Sequence, residues 1–197
     1  MTSVAVLISG RGTNMETIVK NCQAGKIPAT VAFVGSSKKN AEGLKKAKNL
    51  GIPTVVLPYQ EGVETAEKTL LEELKNHHVE WIILAGFMRI LSPKVVRSYP
   101  NRIVNIHPSL LPSFPGVDAI RQAFEYGVKV TGVTVHLVDE EVDHGPILAQ
   151  MPVRISPYDT LETLEEKIHR VEHYLYTEVL KDLFTNGQSA TRMRRDV

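Results

Sequence analysis

The chain contains a single cysteine, Cys22, so no internal disulfide can form, which suits a reducing compartment. Long apolar runs are also missing. The first residues, MTSVAVLISG, have no basic leader and only Val4 to Ile8 as an apolar stretch, too short for a signal segment or a membrane span. A cytoplasmic protein with no membrane partner is therefore expected. Excess charge of one sign is absent too: 23 basic side chains face 22 acidic ones, for a net charge of +1. That balance excludes a broad polyanion-binding face and hence nucleic acid as a partner, but it leaves room for a local pocket for a small anion. No internal repeat or interdomain linker interrupts the 197 residues, a length that forms one sizeable core.

What is present is alternation. The runs SVAVLIS, ATVAFVG, TVVL, EWIILAG and RIVNIH are nearly continuous apolar stretches rich in β-branched residues, the pattern of strands buried on both faces of a parallel sheet. Between them, METIVKNCQAG, NAEGLKKAKNLG and TAEKTLLEELKNHH carry helical spacing. This predicts an α/β fold with an open, mostly parallel, Rossmann-like sheet flanked by helices. After about residue 127 the pattern changes: KVTGVTVHLV and PILAQMPVRI, joined by a short acidic loop, predict an antiparallel strand pair. A long C-terminal helix follows, with Leu161, Leu164, Ile168, Val171, Leu175 and Val179 as its expected core stripe. One domain over 1–185 is expected, with a flexible basic tail at 186–197.

Several stretches have a chemical reading. SGRGTN (9–14) lies between the first strand and the first helix, where glycines allow close backbone approach and a helix start offers unpaired N–H groups. It matches neither the dinucleotide fingerprint nor the triphosphate P-loop, so it reads as a phosphate cradle or as a tight turn capped by Thr13 or Asn14. NIHPSLLPSFPG (105–116) places Asn105 and His107 on one side of a strand end, and Pro108 restricts the exit. An amide donor beside an imidazolium is what a developing oxyanion needs, and a strand's carboxyl end is where open α/β folds hold ligands. VDEEVDHG has four carboxylates in five positions; Asp139, Glu140 and Glu141 suit a solvated turn, whereas Asp143 leads into DHGP and can orient His107. LAGFMRIL offers apolar side chains for a flat ring, or simply continues into core. Glu172 and His173 border the last helix's stripe, where bonds to helical neighbours are the default and a substrate ammonium the alternative. The histidines show no metal-ligand spacing, and no metal is expected.

Taken in order over roughly residues 3 to 180, SGRGTN, LAGFMRIL, NIHPSLLPSFPG, GVTVHLVDEEVDHGPILAQ and VEHYLY make the sequence resemble the phosphoribosylglycinamide formyltransferases of the folate-dependent formyltransferase superfamily. The resemblance implies formyl transfer from 10-formyltetrahydrofolate, as co-substrate, to the amine of glycinamide ribonucleotide in purine biosynthesis. It implies that His107 (protonated) and Asn105 stabilise the tetrahedral oxyanion while Asp143 tunes His107 and assists proton transfer. Gly12, Thr13 and Asn14 would hold the phosphate and Glu172 the amine. Met88, Arg89, Ile90 and Leu91 would flank the pterin with Asn105, and the stretch from Val138 and Asp139 to Asp143 would close over it. It further implies a ribonucleotide half at about 1–100, a folate and catalytic half at about 101–185, and a monomer or homodimer. The chain departs from the common pattern of the family at Arg11 and Thr13, at VDAIRQAF, and at Val63, where some members carry an arginine that contacts the folate tail. Within the superfamily, 10-formyltetrahydrofolate hydrolysis is the rival activity, although the start of the sheet at Val4 leaves no room for the extra domain of those enzymes. Methionyl-tRNA formyl transfer would need length after residue 185. A non-catalytic nucleotide-binding module would need the glycine loop but not Asn105, His107 and Asp143.

Overall fold

The computed structural model describes residues 1–186, so the expected basic tail lies, except for Asn186, outside the described residues. Seven strands form one sheet in the order β3-β2-β1-β4-β5-β6-β7. They are β1 (Thr2–Ile8), β2 (Ala29–Ser36), β3 (Thr54–Val56), β4 (Trp81–Leu84), β5 (Ile103–His107), β6 (Val130–Leu137) and β7 (Ile147–Arg154). The first five are parallel; β6 runs antiparallel to β5, and β7 antiparallel to β6. The change after residue 127 is therefore the point at which the sheet changes sense.

Strand β1 shows why its sequence is continuously apolar. Val4, Val6 and Ile8 enter one core, whereas Ala5 and Leu7 enter the other, as period-two alternation requires when both faces are covered. On the first face lie α1 (Thr13–Gln23), α2 (Glu42–Asn49) and α6 (Leu161–Thr185), with α5 (Ala119–Tyr126) packed at its margin; the second is covered by α3 (Val63–Asn76) and α4 (Pro93–Ser98). Helices α4 and α5 have no counterpart in the sequence reading. Each is short, and α5 sits between two left-handed residues, Asp118 and Gly127, that isolate it from the flanking chain.

Helix α6 opens on a reciprocal Thr160–Thr163 capping box. Its core stripe differs from the expected one. Leu164, Ile168 and Leu175 are buried, but Leu161, Val171 and Val179 lie at the flank, and Tyr176, Leu180 and Leu183 take their place. The buried row steps by four through Leu164, Ile168, Glu172, Tyr176 and Leu180, so a carboxylate occupies a core position. Tyr176 is fully buried, and its hydroxyl is within donating reach of the Leu84 carbonyl at 2.9 Å and the Val104 carbonyl at 3.0 Å. That bond ties α6 to β4 and β5, one helical turn from Glu172.

Strand β1 has β2 on one side and β4 on the other, so the chain order reverses here. Loops leaving the carboxyl ends of β1 and β4 consequently lie together, the position where doubly wound sheets form a crevice.

Candidate active site

The crevice has two laced walls. Ser9 N donates to the Gly86 carbonyl (3.0 Å), and Met88 N donates to Ser9 Oγ (2.8 Å), joining the loop after β1 to the loop after β4. Ser9 Oγ also shares a 2.6 Å bond with Ser37 Oγ. Gly12, not Thr13 or Asn14, is the residue before α1; its φ of 68° is left-handed, and no side chain caps the helix. The N–H groups of the first turn of α1 are thus left to something else. Gly43 of α2 braces this loop from behind, donating to the Gly10 carbonyl at 3.0 Å. A Cβ at Gly43 would lie 2.4 Å from Ile8 Cδ1 and 3.1 Å from both Gly10 O and Gly12 Cα. An added methyl would displace the Ile8 side chain and press on the backbone of the turn.

Across this end of the site stands Glu172, 6% exposed. Its Oε2 accepts from His169 Nδ1 at 2.8 Å and from Asn14 Nδ2 at 3.3 Å, whereas Oε1 accepts no bond from the described residues. His173 Nε2 is buried with no hydrogen-bond partner among the described residues, and burial lowers the pKa of the ring.

At the other end, Asn105, His107 and Asp143 converge. His107 is 5% exposed, and its Nε2 donates to the Phe114 carbonyl at 2.8 Å. A carbonyl can only accept, so Nε2 carries a proton and Nδ1 is the ring nitrogen turned toward Asp143. Nδ1 faces Asp143 Oδ2 at 3.6 Å, within ion-pair reach but longer than a direct hydrogen bond. The same Oδ2 accepts from Gly116 N at 2.8 Å, which closes the proline-rich loop onto the acidic loop. Asp143 adopts a left-handed φ of 54°. Gly145 allows the fold-back: a Cβ there would come within 1.9 Å of the Leu137 carbonyl oxygen.

His136 completes the cluster, and the sequence reading gave it no role beyond rejecting it as a metal ligand. Antiparallel register places it directly opposite Asn105. Its Nδ1 donates to the Leu137 carbonyl (2.9 Å), so Nε2 is the acceptor for Asn105 Nδ2 at 3.3 Å, with Asp143 Oδ1 at 3.9 Å. Burial lowers the pKa of His136 against the opposing effects of the Leu137 carbonyl and Asp143. The neutral ring therefore fixes the Asn105 amide with its nitrogen inward, leaving the second N–H of that nitrogen for a ligand. An ionisable residue within a β6 otherwise made of Val, Thr, Gly and Leu was the available signal; using it required the β5–β6 register.

Between the two ends, Met88 and Ile90 are 69% and 71% exposed, while Leu91 is buried in the second core. The Arg89 guanidinium lies 4.9 Å from the centre of the Tyr59 ring. Val138 is half-buried against the second core, and Asp139 bonds His144 Nδ1 at 3.0 Å and the Glu141 N–H at 2.9 Å. Arg97 grips Glu140 through Nε and a terminal nitrogen at 2.7 and 2.8 Å, anchoring the acidic loop to α4. Val63, at the start of α3, is 52% exposed. Among the described residues no group of three or more His, Cys, Asp or Glu is placed to hold a metal, and no helix is long and apolar enough to cross a membrane.

Known proteins share this arrangement of chain. A phosphoribosylglycinamide formyltransferase of Bacillus subtilis (strain 168) is 43% identical over 185 residues, covering 93% of this chain and 95% of that protein. A trifunctional purine biosynthetic protein of Gallus gallus is 45% identical over 180 residues, 90% of this chain but 18% of that longer protein. The crystal structure of a glycinamide ribonucleotide transformylase from Geobacillus kaustophilus superposes with a TM-score of 0.90 at 45% identity, covering 93% of this chain and 99% of that one. The sequence profile of the formyl transferase family matches residues 2–180, and the chain belongs to that family.

Proposed function

We propose that the chain transfers the formyl group of 10-formyltetrahydrofolate to the amine of 5-phosphoribosylglycinamide, giving N-formylglycinamide ribonucleotide and tetrahydrofolate in purine biosynthesis. The reading is supported by relatives named for this activity over nearly their whole length. The single observation that carries the mechanism is the meeting of Asn105, His107 and Asp143 around one point, with neutral His136 orienting the amide.

In this reading, the folate supplies an activated formyl carbon. The substrate amine forms a C–N bond to it, and the carbonyl electron pair moves onto oxygen. Asn105 Nδ2–H and a protonated His107 Nδ1 meet that oxyanion. Asp143, beside Nδ1, holds the positive charge on the ring and receives or relays the proton lost by the attacking amine. Collapse of the adduct breaks the bond from carbon to the folate nitrogen, which leaves with that proton. The first turn of α1, with Gly12, Thr13 and Asn14, binds the ribonucleotide phosphate through N–H groups and the helix dipole. Glu172 Oε1 accepts from the substrate amine. The exposed Met88 and Ile90, backed by Leu91, form an apolar flank for the pterin beside Asn105, and Val138 and Asp139 open the loop that covers it. Arg89, over the Tyr59 ring, belongs to the same flank. The protein works in the cytoplasm as a monomer or homodimer, as one domain whose ribonucleotide half precedes its catalytic half.

Release of tetrahydrofolate, measured with and without glycinamide ribonucleotide, tests this. Transfer requires release to depend on the amine substrate. Release in its absence at a comparable rate identifies a hydrolase, and no release under either condition identifies a binding module.

A further inference from the structure

Helix α3 buries a carboxylate that the proposed chemistry does not use. Glu67 is 4% exposed and is buried along with Ala66, Leu70 and Leu74 of the same helix. Charge at a core position is costly unless its oxygens are bonded. Both are, and to a single residue: Oε1 accepts from Ser92 N at 2.7 Å, and Oε2 accepts from Ser92 Oγ. The choice of partner is selective. Burial, and then the charge of Glu67, push the Tyr59 hydroxyl up to about 12, with Arg89 opposing. That hydroxyl is itself buried without a partner among the described residues, yet both oxygens of Glu67 go to Ser92.

Ser92 occupies a junction. It follows directly on the flank at 88–91 and is the residue before α4. Its hydroxyl donates to Glu67 instead of capping α4, which has no side-chain cap. Upstream, Ser9 ties the flank at Gly86 and Met88. Between those two ties, Arg89, Ile90 and Leu91 make no backbone hydrogen bond among the described residues. The anchors at either end therefore set where the exposed Met88 and Ile90 stand. Downstream, α4 sends Val95 and Val96 into the second core and presents Arg97 to Glu140 of the acidic loop. One buried carboxylate thus holds the point from which both the flank and the brace of the acidic loop extend.

We propose that Glu67 is a positioning residue for the folate: by pinning Ser92 it fixes the flank at 88–91 and, through α4, the acidic loop. This rests on the proposed seat of the pterin against that flank. A purely structural carboxylate would matter to unfolding alone, whereas a positioning role shows in folate use by a folded protein. Neither Glu67 nor Ser92 bonds to the loop after β1 among the described residues, so the ribonucleotide end serves as the internal control.

The test compares wild type, Glu67→Gln, Glu67→Leu and Ser92→Ala, with circular dichroism as the check on folding. Steady-state kinetics with 10-formyltetrahydrofolate, calorimetric titration of glycinamide ribonucleotide and hydrogen exchange of the free protein are measured on each. Glu67→Gln keeps an acceptor for Ser92 N and a partner for Ser92 Oγ, so its KM for the folate is expected within about threefold of wild type. Glu67→Leu removes both acceptors. Its KM for the folate is expected to rise about tenfold, with kcat falling less than about threefold and ribonucleotide affinity within about twofold of wild type. Ser92→Ala loses only the hydroxyl bond and is expected to raise the same KM about threefold, which carries the test if Glu67→Leu does not fold. Exchange in Glu67→Leu, or in Ser92→Ala in its place, should rise over 86–98 and 138–145 but not over 9–24. A folded Glu67→Leu with the wild-type KM for the folate, or with equal losses for both substrates, overturns the proposal. Unchanged exchange over 86–98 refutes the pinning itself. If wild type shows no use of the folate while the exchange result holds, the seat of the pterin fails rather than the pinning.

Discussion

Around Gly12 the backbone leaves regular structure for one left-handed residue and then enters α1. Between Phe114 and Asp143, by contrast, Phe114, Gly116, Asp118 and Asp143 all have positive φ, and three of them are not glycine. The difference follows from what each end is proposed to do. Phosphate can be met by consecutive backbone N–H groups, so a turn and a helix start suffice, and side chains matter mainly by staying out of the way. An oxyanion and a travelling proton need an amide and an imidazole from β5 and a carboxylate from a loop, with a histidine of β6 to hold the amide. Non-glycine residues in the left-handed region cost roughly 1 kcal/mol or more each and persist where surrounding bonds enforce them. Here Asp143 is held through Gly116 N and through its place beside His107 and His136.

The two ends should therefore fail in different ways. At the catalytic end, Asp143→Asn keeps an acceptor for Gly116 N and a residue that tolerates a left-handed φ, but removes the charge. Turnover should fall about 10²–10³-fold with ribonucleotide affinity unchanged, measured by steady-state kinetics and calorimetry. At the phosphate end, Gly43→Ala pushes its Cβ against the glycine turn. The KM for glycinamide ribonucleotide should rise about tenfold with a smaller change in kcat, since a displaced backbone cradle loses ligand bonds rather than catalytic groups. A larger loss in kcat than in KM would show that the two ends are not separable.

How legible each end was in the sequence follows the same division. SGRGTN and NIHPSLLPSFPG are contiguous, so glycine conformational freedom, strand alternation and proline restriction pointed to them directly. His136 acts through a pairing with Asn105 that depends on the register of two strands. Gly43 matters because α2 returns to the loop after β1, and Tyr176 because α6 crosses β4 and β5. None of these is local. The stripe of α6 shows the limit most clearly: choosing Val171 over Glu172 followed hydrophobicity, whereas the helix buries the row that contains Glu172, Tyr176 and Leu180. A carboxylate on a core face is where a pattern of apolar residues misleads.

Tyr176→Phe tests whether the bridge between the two ends is structural. Removing a buried hydroxyl that donates to strand carbonyls should lower unfolding stability by about 1–2 kcal/mol in urea denaturation, with little change in the chemical step. The smallest effect concerns His136. Its folded pKa is depressed by burial, so the folded state binds a proton less readily than the unfolded chain. Stability is retained above the ordinary histidine value near pH ~6.5 and lost as pH falls from there through the folded value. His136→Asn should flatten that acid limb relative to wild type, measured by denaturant unfolding between pH 7 and pH 5. An equal slope in both proteins would remove His136 from the neutral role given to it.

The most direct measurement is His107→Asn, followed by single-turnover formyl transfer and by ribonucleotide titration on the same preparation. The catalytic end should lose more than about 10³-fold in rate while the phosphate end binds within about twofold of wild type. Transfer within tenfold of wild type, or loss of ribonucleotide binding in a folded variant, would contradict the division of labour between the two ends.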